Sequence, residues 1–189
     1  MSASPADTEE RILDLAEKLI RQNGYNGFSF RDIASGVGVK SSSVHYYFPT
    51  KADLGATVAR RYTERFLDRL GDPEAPAMPA EALISKLHRE FARSLGQDGQ
   101  MCLCGILAAE SSGLPEEVVT EAKAFFDRTG GWLTRGLRRS EWGAGVPEDD
   151  LGKHSLAILA QLEGAMLIAK VQGRPEVFGD LAPRLAAYS

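Results

Sequence analysis

Residues 41–51 read SSSVHYYFPTK. Three serine hydroxyls, an imidazole and two phenols crowd into about three helical turns, with Lys40 and Lys51 at the two ends. That is a poor recipe for a buried core. It is a dense set of hydrogen-bonding groups framed by positive charge. Phosphate oxygens and the edges of nucleic-acid bases are the surfaces such a set can read. Val44 and Phe48, four apart, are the apolar exceptions and mark the face that packs inward.

The flanking residues show how this stretch would be held. Ser29 with Asp32 three residues on is a capping box, and Phe28 with Ile33 a hydrophobic staple. A brief helix starts there and is interrupted by Gly36 and Gly38, of which Gly38 can take a positive φ and turn the chain tightly. Residues 41–48 form the next helix. Pro49 ends it, because the residue before a proline is pushed out of the helical region. Thr50 with Asp53 is a second capping box, opening a long helix from Lys51 to Leu70. Upstream, Ile12, Leu15, Ala16, Leu19 and Ile20 recur at helical spacing, capped at Asp7 or Thr8 and closed at Gly24. Two short helices joined by a glycine turn and preceded by one helix describe a helix-turn-helix unit, whose second helix enters the major groove.

The segment GFSFRDIASGVGVKSSSVHYYFPTKADL, residues 27–54, resembles the DNA-binding segment of TetR/AcrR transcriptional regulators. The resemblance implies an all-α homodimer of about nine helices per subunit. A helix-turn-helix domain over residues 1–55 would precede a ligand-binding and dimerisation domain over 56–189. It implies operator contacts from Ser29, Arg31, Lys40, Ser41, Ser42, Ser43, His45, Tyr46, Tyr47 and Lys51. His45 and Tyr46 exchange the order many members show. Lys40 stands where many carry a capping serine, so Ser41 is expected to take over the cap. A small-molecule effector that lowers affinity for double-stranded operator DNA is the usual control.

Charge is a weak objection. Residues 1–55 hold six Lys/Arg against seven Asp/Glu, but Glu9, Glu10, Asp14 and Glu17 gather in the first helix. Over residues 29–51, Arg31, Lys40 and Lys51 face Asp32 alone, which leaves a locally positive surface.

Beyond Leu70 the chain reads as helices, with no strand alternation and no repeat. TGGW at 129–132 reads as a helix interruption, and WGAGVPED as a loop. Residues 155–171 are too apolar for an ordinary surface helix and suit a core or an interface, with Ala160, Gly164 and Ala165 allowing close approach. An amphipathic last helix through Val177, Phe178, Leu181 and Leu185 would complete a four-helix dimer interface. Pocket walls are expected from Phe91, Leu95, Leu107, Phe125, Phe126, Trp132, Leu162 and Met166, with His88, Glu110, Gln161 and Glu163 as polar anchors.

MCLCG holds both cysteines, Cys102 and Cys104, too few and too close for a disulfide framework. The segment resembles that of the N-ethylmaleimide reductase repressor branch, which implies an alternative in which Cys102 senses electrophiles. No metal motif, phosphate loop or nucleophile–base pair stands out, so neither an enzyme nor a cofactor is expected. A helical ligand-binding protein without DNA function is the remaining alternative. With 43% apolar and 25% charged residues, a net charge of −4, no uninterrupted apolar span and no signal peptide, the expected setting is cytoplasmic and away from membranes.

Overall fold

A computed structural model describes residues 5–74, 77–98 and 100–185. Its regular structure among those residues is helical: α1 (Pro5–Asn23), α2 (Phe30–Val37), α3 (Ser41–Tyr47), α4 (Lys51–Leu70), α5 (Ala80–Asp98), α6 (Leu103–Ala109), α7 (Glu116–Arg138), α8 (Glu141–Ala144), α9 (Glu148–Val171) and α10 (Glu176–Asp180). The chain packs as two compact units. One comprises Met1–Glu64 with Leu103–Phe125, the other Arg65–Cys102 with Phe126–Ser189.

The first unit is built on the periodic apolar stripes of its helices. Ile12, Ala16 and Ile20 of α1 are fully buried, as are Ile33 of α2, Val44 of α3 and Leu54 of α4. Each such side chain contributes about 1.5–3 kcal/mol by leaving water. Leu15 and Leu19, expected in this core, are half-buried, and Leu13 takes a buried place instead. Gly36 lies inside α2 rather than ending it; a Cβ there would collide with Leu15. Two arginines tie α1 to its neighbours. Arg11 donates to the Val37 carbonyl at 2.6 Å, and Arg61 of α4 donates to Glu10 at 2.9 Å and to Asp14.

The second unit centres on Leu83, Leu87 and Phe91 of α5, Leu133 and Leu137 of α7, and Leu162 and Met166 of α9, all fully buried. α5 approaches α7 closely at Gly136, where a Cβ would lie 2.8 Å from Leu83. Thr134 of α7 donates to Ser155 of α9 at 2.8 Å. His88 stacks flat on Phe178 of α10, ring centroids 4.5 Å apart.

Three expectations change here. α7 runs unbroken through Gly130 and Gly131. Each glycine costs about 1 kcal/mol against alanine, which the burial of Thr129, Trp132 and Leu133 beside them offsets. The segment read as a loop holds α8, started by Ser140, whose hydroxyl accepts from the Gly143 amide at 3.1 Å. The last helix ends at Asp180 instead of running to Leu185. Gly179 weakens its end, and Pro183 pushes Ala182 out of the helical region.

Candidate nucleic-acid interface

The interface is assembled by local signals in sequence. At the start of α2 the Ser29 amide donates to Asp32 at 2.7 Å, and the Asp32 amide donates back to the Ser29 hydroxyl at 3.4 Å. The Ser29 hydroxyl, which also donates to this carboxylate at 2.7 Å, and then the Ser29 amide hold the Asp32 carboxyl below its ordinary range. Phe28 and Ile33 are both buried, as a staple requires. Gly38 closes α2 with φ 78°, and its amide and that of Val39 both donate to the Ala34 carbonyl at 2.9 Å. That left-handed residue turns the chain into α3. The Thr50 and Asp53 pair then starts α4, each amide bonding the other side chain at 3.0 Å.

α3 separates its two faces cleanly. Val44 and Phe48 are buried, while Lys40, Ser41, Ser42, His45 and Tyr46 are exposed. Tyr46 stands 81% exposed, the largest uncovered aromatic surface among the described residues, with Tyr47 half-buried and edge-on to it at 5.2 Å. Ser43 is half-buried; Ser29 and Arg31 are exposed on the α2 side. His45 packs edge-on against Phe30 at 4.7 Å, its Nδ1 3.4 Å from the Pro49 carbonyl. Ser41 does not cap the helix. Lys40 is the N-cap residue, extended at φ −78° and ψ 150°, and no side chain caps it. Its carbonyl already receives the Ser43 amide at 2.9 Å, which places Ser41 inside the first turn.

Lys51 is turned inward. Its ammonium donates to the Phe28 carbonyl at 2.5 Å and lies 4.2 Å from the Phe28 ring centroid and 4.8 Å from that of Tyr25. Burial lowers its pKa, against the opposing pull of Asp32 and Glu110. Glu110, read as a ligand anchor, belongs to the same unit and has a structural use. It accepts the Tyr25 amide at 2.9 Å, and Gly24 at φ 77° leaves the space its carboxylate fills. Nothing in the sequence pairs residues 25 and 110. The one hint was a glycine just after α1, and it read as a helix stop.

The remaining pocket candidates divide between the units. Leu107 and Phe125 are buried in the first unit, where Tyr62 lies 5.8 Å from Phe125. Phe91, Leu95, Trp132, Leu162 and Met166 are buried in the second, and Phe126 is half-buried. Trp132 also donates to the Gly71 carbonyl at 2.7 Å and lines an open groove of about 470 Å³ with Leu67, Pro73 and Arg128. Cys102 and Cys104 are fully buried and form no disulfide with each other. The Cys102 thiol faces the Glu163 carboxyl. An acid neighbour opposes a thiolate, and burial withholds electrophiles, so sensing through Cys102 is not favoured.

A helix-turn-helix whose reading helix presents only polar and aromatic groups outward defines a DNA-binding protein. Residues 12–57 match the model described as bacterial regulatory proteins, tetR family. Residues 76–183 match that of the transcriptional regulator LmrA/YxaF-like C-terminal domain. The chain belongs to the TetR family of transcriptional regulators, with a C-terminal domain of the LmrA/YxaF-like kind. It is 27% identical to the HTH-type transcriptional regulator LmrA of Bacillus subtilis, covering 88% of each chain. A TetR transcriptional regulator from Legionella pneumophila superimposes with TM-score 0.85 at 32% identity, covering 96% of each chain. The reduced form of Escherichia coli NemR shares the fold, with TM-score 0.78 at 22% identity over 93% of this chain and 94% of that one. Members of the family are DNA-binding regulators and not enzymes, and this chain is a sequence-specific DNA-binding transcriptional regulator.

Proposed function

We propose that the protein is a cytoplasmic homodimeric repressor that reads a near-palindromic operator through α3 and leaves it when a small molecule binds the C-terminal helices. The observation that carries the reading is the two-faced α3, with Val44 and Phe48 buried under an outer face of Lys40, Ser41, Ser42 and Tyr46. Ser29, Arg31, Ser43, His45 and Tyr47 are assigned supporting contacts to phosphate and base edges. Lys51 is assigned to hold the α3–α4 corner, its charge adding to the positive end of α4.

Dimerisation is supported by α9. Leu156, Leu167, Ile168 and Val171 are exposed on it, the last at 81%, and Ala160 and Gly164 lie between them. Although α9 is long and apolar enough to cross a membrane, buried residues such as Ser155, Leu159, Leu162 and Met166 fix it as a packed helix of the second unit. Two such faces together set two reading helices one DNA turn apart, about 34–36 Å.

Control is assigned to α4 and α6. α4 runs unbroken from Lys51 to Leu70, beginning in one unit and ending in the other. Glu110, just past α6, bonds the Tyr25 amide. Ligand must bind the operator-incompetent arrangement more tightly than the competent one, by about 1–3 kcal/mol for ordinary coupling. A band-shift titration on DNA flanking the protein's own gene, against random competitor at two salt concentrations, tests the reading. Selective, salt-dependent binding is expected. Equal affinity for random DNA would overturn it.

A further inference from the structure

His45 stands on the outward side of α3, and its ring is held in one orientation. It follows Ser41 by four residues and Ser42 by three, so the three share one face of the helix, and all three are exposed. The imidazole packs edge-on against the half-buried Phe30 of α2, ring centroids 4.7 Å apart. Its Nδ1 lies 3.4 Å from the Pro49 carbonyl oxygen. Nε2, at the free tip of the ring, makes no hydrogen bond among the described residues.

The Pro49 contact decides what Nε2 can do. A carbonyl oxygen only accepts, so the ring nitrogen beside it carries the proton and donates. In the opposite neutral tautomer a lone pair on Nδ1 would face those of the carbonyl. A neutral imidazole has one N–H, so with Nδ1 protonated Nε2 is purely an acceptor. The other exposed side chains of α3 and its N-cap lack that character. The hydroxyls of Ser41, Ser42 and Tyr46 both donate and accept, and the Lys40 ammonium only donates.

The major groove sorts its base edges by the same property. Its donors are the exocyclic amines, N6 of adenine and N4 of cytosine; guanine N7 and O6 and thymine O4 accept. An acceptor-only atom is satisfied by an amine and repelled by the rest, phosphate oxygens included. We infer that His45 is a specificity-determining residue of the operator contact, its Nε2 accepting from an exocyclic amine in the major groove. This rests on the reading of α3 given above and adds which base edge one of its residues selects.

The test starts from duplexes that the full chain selects out of random sequence at about pH 8, where a free imidazole is neutral. Purine then replaces each adenine and 2-pyrimidinone each cytosine, one position at a time; each analogue lacks the exocyclic amine. 7-Deazaguanine replaces each guanine as a control that removes N7. His45→Phe keeps an aromatic ring against Phe30 and loses both nitrogens. At one adenine or one cytosine in each half-site, loss of the amine should weaken wild type by about tenfold and His45→Phe by less than about twofold. Which analogue does so tells adenine from cytosine. Folding of a variant cancels in the ratio of two duplexes on one protein, and the weaker pairing of an analogue cancels between proteins. His45→Gln restores an acceptor and should show the amine dependence again; indifference there would count against the inference. Equal losses in wild type and His45→Phe at every adenine and cytosine would overturn it. So would a His45-dependent loss at 7-deazaguanine, which would make the ring a donor. Failure to select any sequence would overturn the reading of α3 as well.

Discussion

At the scale of single residues, the reading surface and the buried acid make opposite predictions about stability. Lys40 and Tyr46 are exposed, and Tyr46 meets Tyr47 edge-on without entering the core, so Lys40→Ala with Tyr46→Ala should leave the melting temperature within about 2 °C of wild type. Operator affinity should fall by about tenfold or more, and the salt slope by about one, if Lys40 makes the phosphate contact proposed for it. Band shifts at several salt concentrations check both. Lys51→Ala is a different experiment, because it also removes the bond to Phe28 and the contact with two rings. Glu163 acts the other way. Cut off from solvent, its carboxyl sits at about 7 in the fold against an ordinary 4.5, a gap on the order of 3 kcal/mol at 1.36 kcal/mol per unit. Between those two values the folded state holds a proton that the unfolded chain gives up. Stability therefore falls as pH rises through that window, and the penalty is complete above it. Glu163→Gln should resist urea better than wild type at about pH 8 and match it near pH 4.5. Equal midpoints at the higher pH would contradict the burial of this charge.

Helix starts and stops were legible because their causes are local. Ser29 with Asp32, Gly38, Thr50 with Asp53 and Pro49 each act within four residues, and each stands where its pattern put it. Ser29→Ala should cost about 1 kcal/mol, read as a lower denaturation midpoint. Gly38→Ala meets open space, yet strains a φ of 78°, so it should destabilise by about 1 kcal/mol with no steric clash to blame. What stayed hidden depends on partners far along the chain. Glu110 reads equally well as a pocket anchor or a surface acid until Tyr25 is seen to donate to it. Lys51 has the right type and spacing for a phosphate, but the direction of an ammonium is set by the Phe28 carbonyl and the rings around it. The glycines of α7 mislead for a related reason. Propensity argues for a break, and the buried side chains around them decide otherwise.

For the whole molecule, the all-helical architecture and the placing of a DNA-reading module before a helical C-terminal domain followed from the sequence. The division into compact units did not, since residues 103–125 pack with the amino-terminal helices. Glu110 lies within that inserted segment. Glu110→Gln keeps its size but weakens the acceptor for the Tyr25 amide. Operator affinity without ligand should change less than about threefold, while the response to effector shrinks by more, because a coupling contact is worth about 1–3 kcal/mol between states. Band shifts with and without effector measure the two quantities. Equal ligand response in variant and wild type would remove Glu110 from the transmission route.

The exposed row on α9 also bears on how much of this protein a cell must make. Leu167→Glu or Val171→Glu places a charge in that row, and light scattering should then find single subunits where wild type is expected to form the proposed pairs. A regulator that works only as a pair does not respond to its own abundance in proportion. Below the concentration at which pairs form, halving synthesis cuts the competent species roughly fourfold by mass action. A few aliphatic side chains at one helix end would thus set a threshold in gene dosage, below which the operator is open whether or not any ligand is present.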